Sequence, residues 1–138
     1  MKVRINTHGN PCPTQHGDWI DLRTAEEVYL NGGESRNISL GVSIEIPEGY
    51  YAEVVPRSST FKKYGVTMTN SVGIIDNAYC GDNDIWQFPA MAHKVTFIPR
   101  GVRICQFRLV EKAPTVEFEM VDKLGNIDRG GFGSTGEK

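Results

Sequence analysis

Hydrophobic and polar residues alternate with a period of two along much of this chain. Such alternation is typical of strands that bury one face, because successive side chains of a strand point to opposite sides. Five short runs have this pattern: residues 41–47, 51–55, 94–97, 104–109 and 116–120. A helix is predicted only for a turn or so within residues 58–64. Many short strands broken by Gly and Pro predict an all-β sandwich, barrel or jelly roll.

Two segments depart from this alternation. Residues 7–17 are rich in Pro, Gly, Asn and His, which indicates a loop. Residues 125–138 contain five glycines among 14 residues, and their only large apolar side chains are Ile127 and Phe132. Such a segment buries too little surface to order itself, so we predict a mobile C-terminal arm. The 138 residues have room for one domain, predicted at residues 1–124.

Charge and composition exclude several classes of protein. Lys and Arg number 15 against 17 Asp and Glu, for a net charge of −2, whereas binders of bulk nucleic acid are basic. Apolar stretches are too short to span a membrane, and the first residues lack the apolar core of a signal peptide. Three cysteines do not make a disulfide framework. We therefore expect a soluble protein of a reducing compartment, the cytoplasm.

A possible phosphate-binding turn follows the second predicted strand, at Pro56-Arg57-Ser58-Ser59. A strand that ends in a sharp turn exposes backbone N–H groups, here beside two hydroxyls and a guanidinium, and these donors suit phosphate oxygens. The alternative is a capped turn that leads into the short helix, with Ser58 or Ser59 as N-cap. The turn by itself favours that alternative.

A possible general base lies at Asp76, directly after the apolar residues Ile74 and Ile75. A carboxylate beside an apolar wall, with Asn70 and Tyr79 close in sequence, has the composition of a catalytic pocket. The alternative is an Asx-turn in an ordinary hairpin, with Tyr79 in the core.

The C-terminal arm has the composition of a lid over a nucleotide. Arg129 supplies charge, Phe132 supplies a stacking face, and the glycines allow close approach. The arm is not a P-loop, because Glu137 stands where that motif requires Lys. The alternative is a frayed terminus without function.

A metal site at His8, Cys12 and His16 is not expected. Their even spacing matches no standard structural zinc site and lacks a fourth ligand. We predict a plain surface loop there rather than a metal site.

Taken together and in order, these segments resemble the trimeric dUTP pyrophosphatase (dUTPase) family. The resemblance extends from Gly17 to Gly136 and includes Asn70, six residues before Asp76. All five motifs of the family have counterparts here: residues 18–23, 56–59, 73–81, 101–106 and 129–136. Five motifs in the right order are far more specific than any one of them.

The resemblance implies a distorted jelly-roll fold, a homotrimer with active sites shared between subunits, and hydrolysis of dUTP to dUMP and pyrophosphate with Mg²⁺. Asp76 would deprotonate the water that attacks the α-phosphorus, and Asp21 would support the metal through its water shell. The implied substrate-binding residues are Arg57, Ser58, Ser59 and Gln106 for phosphate oxygens, Asn70, Ile74 and Ile75 for uracil, Tyr79 for the sugar, and Arg129, Phe132, Gly133, Ser134 and Thr135 in the closing arm.

Two alternatives remain open. A dCTP deaminase shares this fold and a similar Arg-Ser-Ser segment, but its chemistry needs a glutamate on the strand after the third motif. No glutamate lies between Asp76 and Glu111. The second alternative is a non-catalytic β-domain that binds nucleotides or a regulatory protein. Trp86 and Phe88 depart from the family pattern, and we expect them in the core or at a subunit interface.

Overall fold

The computed structural model describes residues 1–133, which form short β-strands and one short helix. The all-β prediction is confirmed, as is the short helix. The elements are β1 (Arg4–Asn6), β2 (Gln15–His16), β3 (Trp19–Arg23), β4 (Val28–Leu30), β5 (Ser35–Ser39), β6 (Ser43–Glu45), β7 (Tyr50–Pro56), α1 (Thr60–Tyr64), β8 (Val66–Met68), β9 (Gly73–Ile75), β10 (Gln87–Ala92), β11 (Thr96–Ile98) and β12 (Arg103–Glu111).

The strands form antiparallel sheets around one hydrophobic core. The largest sheet has the order β2-β3-β12-β7-β9, and a second sheet has the order β5-β10-β8. Two strand pairs, β1-β6 and β11-β4, complete the sheets of the described chain. The most deeply buried large side chains are Trp86, Phe88, Leu22, Ile38, Ile98, Ile104, Val28 and Val66.

Strand β12 lies at the centre of the largest sheet and determines which side chains share a face. Gln106 is opposite Asp21 on β3 and opposite Val55 on β7. Cross-strand partners lie on the same face, so these three residues occupy the outer face of the sheet. Phe107 is opposite Val54 and lies on the inner face, where both side chains are buried.

A β-bulge interrupts this alternation near the start of β12. The register with β3 shifts between Arg103 and Cys105. Both Ile104 and Cys105 are buried, although adjacent residues of a regular strand face opposite sides. The predicted run at residues 104–109 does form a strand, with Cys105 and Phe107 on its buried face, but the predicted regular alternation fails at Ile104.

The predicted strand at residues 116–120 is wrong. After β12, residues 112–131 belong to no helix or strand, and Val116, Phe118 and Met120 are 63%, 90% and 96% exposed. Alternation is a local pattern, whereas a strand also needs a neighbour to accept its backbone hydrogen bonds. No strand of residues 1–133 lies beside this segment.

The run at residues 94–97 forms a strand but buries its other face. Thr96 and Ile98 are buried, whereas Val95 and Phe97 are exposed. Phe97 is opposite Tyr29 on β4, and the two rings stack with their centroids 4.5 Å apart. An aromatic cross-strand pair of this kind stabilises an exposed sheet face.

The helix α1 follows β7 after a turn and ends at Gly65, whose φ of 63° is the left-handed conformation common at helix C-termini. Ser59 occupies the N-cap position but makes no side-chain capping hydrogen bond. Within residues 1–133, α1 is the single helix, and it is not long and apolar enough to cross a membrane.

Candidate active site

A cavity of about 540 Å³ opens between the two larger sheets, beside the edge strand β9. Five of the predicted site residues line it: Asn70, Ile74, Ile75, Asp76 and Tyr79. Further lining residues, which were not among the predicted site residues, are Asn37, Val54, Met68, Gly73, Ala78, Ile85, Trp86, Gln87 and Pro89. The cavity thus combines a largely apolar wall with a few polar groups, as small-molecule sites do.

Asp76 is held by the turn that follows β9. Its Oδ1 accepts a hydrogen bond from the backbone N–H of Ala78 at 2.8 Å, and its carbonyl accepts one from the N–H of Tyr79 at 3.3 Å. This is the Asx-turn that we considered as the alternative to a catalytic role. The turn fixes one carboxylate oxygen, and within residues 1–133 no side chain or backbone group hydrogen-bonds to Oδ2. The same geometry therefore orients the carboxylate and leaves one oxygen for a ligand or water.

Tyr79 and Trp86 form the aromatic part of the cavity. The Tyr79 hydroxyl donates to the carbonyl of Ile85 at 3.1 Å, which fixes a ring that is 40% exposed. Trp86 and Phe88 are both buried, so of the two predicted locations, the core or a subunit interface, the structure places them in the core. The buried Nε1 of Trp86 has no hydrogen-bond partner among the described residues, although buried donors usually have one.

The predicted phosphate-binding residues lie together on the outer face of the largest sheet. Asp21 Oδ1 is 3.4 Å from Nε of Arg57, and its Oδ2 is 3.4 Å from Nη1 of Arg103. Gln106 Nε2 donates to the carbonyl of Pro56 at 3.4 Å. Ser58 and Ser59 lie in the turn between β7 and α1. Arg103 belongs to the fourth motif but was not among the predicted site residues, because no local feature distinguishes it from other arginines.

The capping alternative for this turn receives no support, because Ser59 makes no side-chain capping bond and Ser58 precedes the N-cap position. Among residues 1–133 neither hydroxyl has a hydrogen-bond partner, so both suit donation to a ligand. The Ser59 carbonyl accepts the first helical bond, from the N–H of Lys63 at 2.9 Å.

Within one chain, the phosphate-binding turn and Asp76 lie beside opposite ends of strand β7. Ile75 is opposite Ala52, so Asp76 follows at the level of Tyr51, whereas Arg57 comes after the other end of β7. Six residues separate these two levels, which is about 20 Å at the rise of an antiparallel strand. The chain alone therefore does not bring Arg57 and Asp76 to one small substrate.

The predicted lid residues that fall within residues 1–133 do not line the cavity. Arg129, Phe132 and Gly133 are exposed, and Nε of Arg129 donates to the carbonyl of Gly130 at 3.2 Å. Ser134 and Thr135 lie outside the described residues.

The pKa is raised for two groups, the Cys105 thiol and the Tyr51 hydroxyl, which favours their protonated forms. Burial raises the pKa of the Cys105 thiol well above its ordinary value, and the nearby Asp21 carboxylate adds to the effect. Desolvation and the Glu53 carboxylate raise the pKa of Tyr51, whose hydroxyl donates to Glu53 Oε2 at 3.3 Å.

Comparison with known proteins identifies the family. The dUTPase family model matches residues 11–136. The SPbeta prophage-derived deoxyuridine 5′-triphosphate nucleotidohydrolase YosS of Bacillus subtilis is 58% identical over 124 residues, which cover 90% of this chain and 87% of that protein. The chain belongs to the dUTPase family.

Solved dUTPases share the fold. The dUTPase of Staphylococcus bacteriophage 80alpha, solved with dUpNHpp, superposes with a TM-score of 0.76 at 20% identity and covers 98% of both chains. The dUTPase of phage phi11 of S. aureus, whose structure describes a structural Mg(II) ion, gives a TM-score of 0.74 at 19% identity over 90% of this chain and 99% of that one. The predicted jelly roll is therefore confirmed as a dUTPase fold.

The donor set of this dUTPase suits a metal held mainly by substrate and water. Residues 1–133 contain no cluster of three or more His, Cys, Asp or Glu side chains that could hold a metal ion. The carboxylate of Asp21 lies between two guanidinium groups, which suits contact through water better than direct ligation. Mg²⁺ usually keeps several waters and binds through one or two carboxylates and substrate phosphates.

The predicted surface loop at residues 7–17 is confirmed for His8 and Cys12, but His16 belongs to strand β2, which pairs with β3. His8 Nε2 lies 2.9 Å from the Ser43 hydroxyl, and Cys12 and His16 are exposed.

Proposed function

We propose that this member of the dUTPase family hydrolyses dUTP to dUMP and pyrophosphate, with Asp76 as the general base. One observation carries the proposal. In a chain that the dUTPase family model matches over residues 11–136, the cavity gathers the polar residues Asn70, Asp76 and Tyr79 around an apolar wall.

Asp76 suits the role of base because only one of its oxygens is engaged. The Ala78 N–H fixes Oδ1 and so fixes the plane of the carboxylate, while Oδ2 accepts the proton of a water molecule. That water attacks the α-phosphorus in line with the leaving pyrophosphate. A positioned base of this kind contributes roughly 10²–10⁴-fold to a rate.

The nucleoside occupies the cavity beside β9. Asn70 and the backbone of the neighbouring hairpin hydrogen-bond to the uracil edge, and Ile74 and Ile75 complete the wall. Cytosine reverses the donor and acceptor at this edge and leaves buried groups unpaired, which gives strong discrimination. The Tyr79 ring packs under the deoxyribose, where its hydrogen bond to Ile85 holds it in place and a 2′-hydroxyl clashes with it.

A neighbouring subunit of a homotrimer supplies the phosphate-binding group. The separation of about 20 Å between Arg57 and Asp76 along β7 supports this, because one triphosphate does not span it. In this arrangement Arg57, Ser58, Ser59 and Gln106 of one chain bind phosphates of the nucleotide whose base occupies the next chain. The exposed apolar side chains of residues 116–127 also support association, because they need a surface to cover them.

Asp21 would hold a Mg²⁺ ion on the triphosphate through its water shell, and the ion would neutralise charge on the phosphate oxygens. The same carboxylate forms an ion pair with Arg57. The Mg(II) ion of the phage phi11 dUTPase supports the choice of metal.

The C-terminal arm, residues 125–138, closes over the bound nucleotide. Arg129 reaches the γ-phosphate and Phe132 covers the uracil, while Gly133, Ser134 and Thr135 add backbone and hydroxyl donors. The full exposure of Phe132 supports this role, because a large apolar ring in water gains by packing on a base. We also retain the cytoplasm as the predicted location and the absence of bulk nucleic acid among the partners.

The decisive experiment incubates the protein and Mg²⁺ with dUTP, dCTP, dTTP or UTP and measures pyrophosphate and deamination separately. We expect pyrophosphate from dUTP alone, and Asp76→Asn should abolish its release while dUTP still binds. The matched control is Glu27→Gln, the same change at an exposed carboxylate that does not line the cavity. Deamination of dCTP, or full activity of Asp76→Asn, would refute the proposal.

A further inference from the structure

Thr60 is a buried polar residue at the start of α1 that lies outside the cavity. Its side chain is 2% exposed and makes two hydrogen bonds. Oγ1 accepts the backbone N–H of Arg57 at 3.1 Å and donates to the carbonyl of Ile104 at 2.7 Å. The hydroxyl thus joins the phosphate-binding turn to strand β12.

The need for this hydroxyl follows from how β7 ends. The ladder between β7 and β12 stops where Pro56 is opposite Cys105, and proline has no N–H to donate. If the register continued, Arg57 would be opposite Ile104. Instead, the Thr60 hydroxyl bridges the N–H of Arg57 and the carbonyl of Ile104. Without it, a backbone donor and a backbone acceptor would lack partners next to the core.

The side-chain contacts of Arg57 are too weak to hold the turn. Nε of Arg57 is 3.4 Å from Asp21, and its Nη1 is 3.5 Å from the carbonyl of Arg103. The Arg57 side chain is also 28% exposed, so water screens these contacts. The bonds of Thr60 are shorter and buried, and they act on the backbone of the turn itself.

We infer that Thr60 is a positioning residue for phosphate binding: its hydroxyl sets where the turn holds Arg57, Ser58 and Ser59 relative to Gln106 on β12. Thr60 itself does not contact the substrate. The inference rests on the proposed function, because it assigns phosphate binding to this turn. It goes further by predicting that a buried hydroxyl, which no ligand reaches, determines affinity for the triphosphate.

The test compares Thr60→Val, which keeps the shape and removes the hydroxyl, with Thr60→Ser, which keeps the hydroxyl. Deoxyuridine and the non-hydrolysable analogue dUpNHpp are the probes, since only the second has phosphates. For Thr60→Val we expect kcat/KM for dUTP to fall on the order of 10²-fold, as misplaced binding groups do. Affinity for dUpNHpp should fall with it, while affinity for deoxyuridine stays unchanged. Thr60→Ser should keep the wild-type kcat/KM for dUTP and the wild-type affinity for dUpNHpp.

Three results would overturn the inference. They are wild-type affinity for dUpNHpp in Thr60→Val, an equal loss of affinity for both probes in Thr60→Val, or weak binding of dUpNHpp by Thr60→Ser. If Thr60→Val does not fold, Thr60→Cys replaces it, because a thiol is a poor donor. The cysteine variant should then bind dUpNHpp more weakly than the serine variant. Failure of the proposed function is recognised separately, since the wild-type protein would then not hydrolyse dUTP.

Discussion

Gly73 allows β9 to approach β7 closely enough to form the cavity. A Cβ at this position would lie 3.2 Å from Cβ of Val54 and 3.6 Å from both Cε of Met68 and the carbonyl oxygen of Val54. Val54 is buried in the middle of β7, where β12 holds it from the other side, so it has little room to move. In Gly73→Ala, β9 must therefore shift by a few tenths of an ångström. Overpacking of this kind costs about 1–3 kcal/mol.

The shift reaches Asp76 because β9 ends one residue before it. We expect Gly73→Ala to lower kcat/KM for dUTP roughly tenfold. Displacement of a reacting group by 1 Å lowers the rate about 100-fold, and the shift expected here is smaller. The assays are thermal unfolding and steady-state pyrophosphate release. Gly32→Ala is the matched control, because its Cβ would make an ordinary contact of 3.5 Å with Cα of Lys94. Equal stability and turnover in the two variants would refute this account of Gly73.

Further predictions concern the thiols and Asp21. Burial raises the pKa of the Cys105 thiol above its ordinary 9.0, so the folded protein keeps a proton that the unfolded chain releases above that pH. Stability should then be full below pH 9 and fall by about 1.4 kcal/mol per pH unit above it, and Cys105→Ala should remove this slope in urea unfolding. A thiol reagent should label the exposed Cys12 and Cys80 in the native protein, and Cys105 only after denaturation. Asp21→Asn should raise the Mg²⁺ concentration for half-maximal turnover about tenfold, as loss of an outer-shell ligand does.

The alternation of the sequence was sufficient for the fold class because it depends on neighbours two residues apart. It failed where the outcome depended on residues far along the chain. The face that β11 buries depends on its pairing with β4, where Phe97 is opposite the exposed Tyr29, and the local pattern at residues 94–97 does not contain that pairing. Residues 116–120 alternate as a strand does, but no strand within residues 1–133 pairs with them.

The candidate site divides in the same way. The third motif is contiguous, and so Asn70, Asp76 and Tyr79 were found together from the sequence. The role of Thr60 depends on the bulge in β12 and on Pro56, which are distant from each other in sequence. A hydroxyl directly after Ser58 and Ser59 was the only local signal for it, and that signal also fits an exposed helix start.

The geometry of β7 makes a last prediction about how the active sites are assembled. Asp76→Asn and Arg57→Ala should each be inactive, because each lacks one group of the site. If Asp76 and Arg57 of one site come from different chains, refolding an equimolar mixture of the two variants restores some complete sites.

In a trimer with random assembly, each site draws a chain with intact Asp76 in half of cases and a neighbour with intact Arg57 in half, so about a quarter of the wild-type activity returns. If both groups come from one chain, no complete site forms and the mixture stays inactive. The control mixes the refolded variants without denaturation, which leaves the parent trimers intact and should restore nothing. Inactivity of the co-refolded mixture would exclude shared sites. The separation of about 20 Å along β7 would then have to be bridged within one subunit.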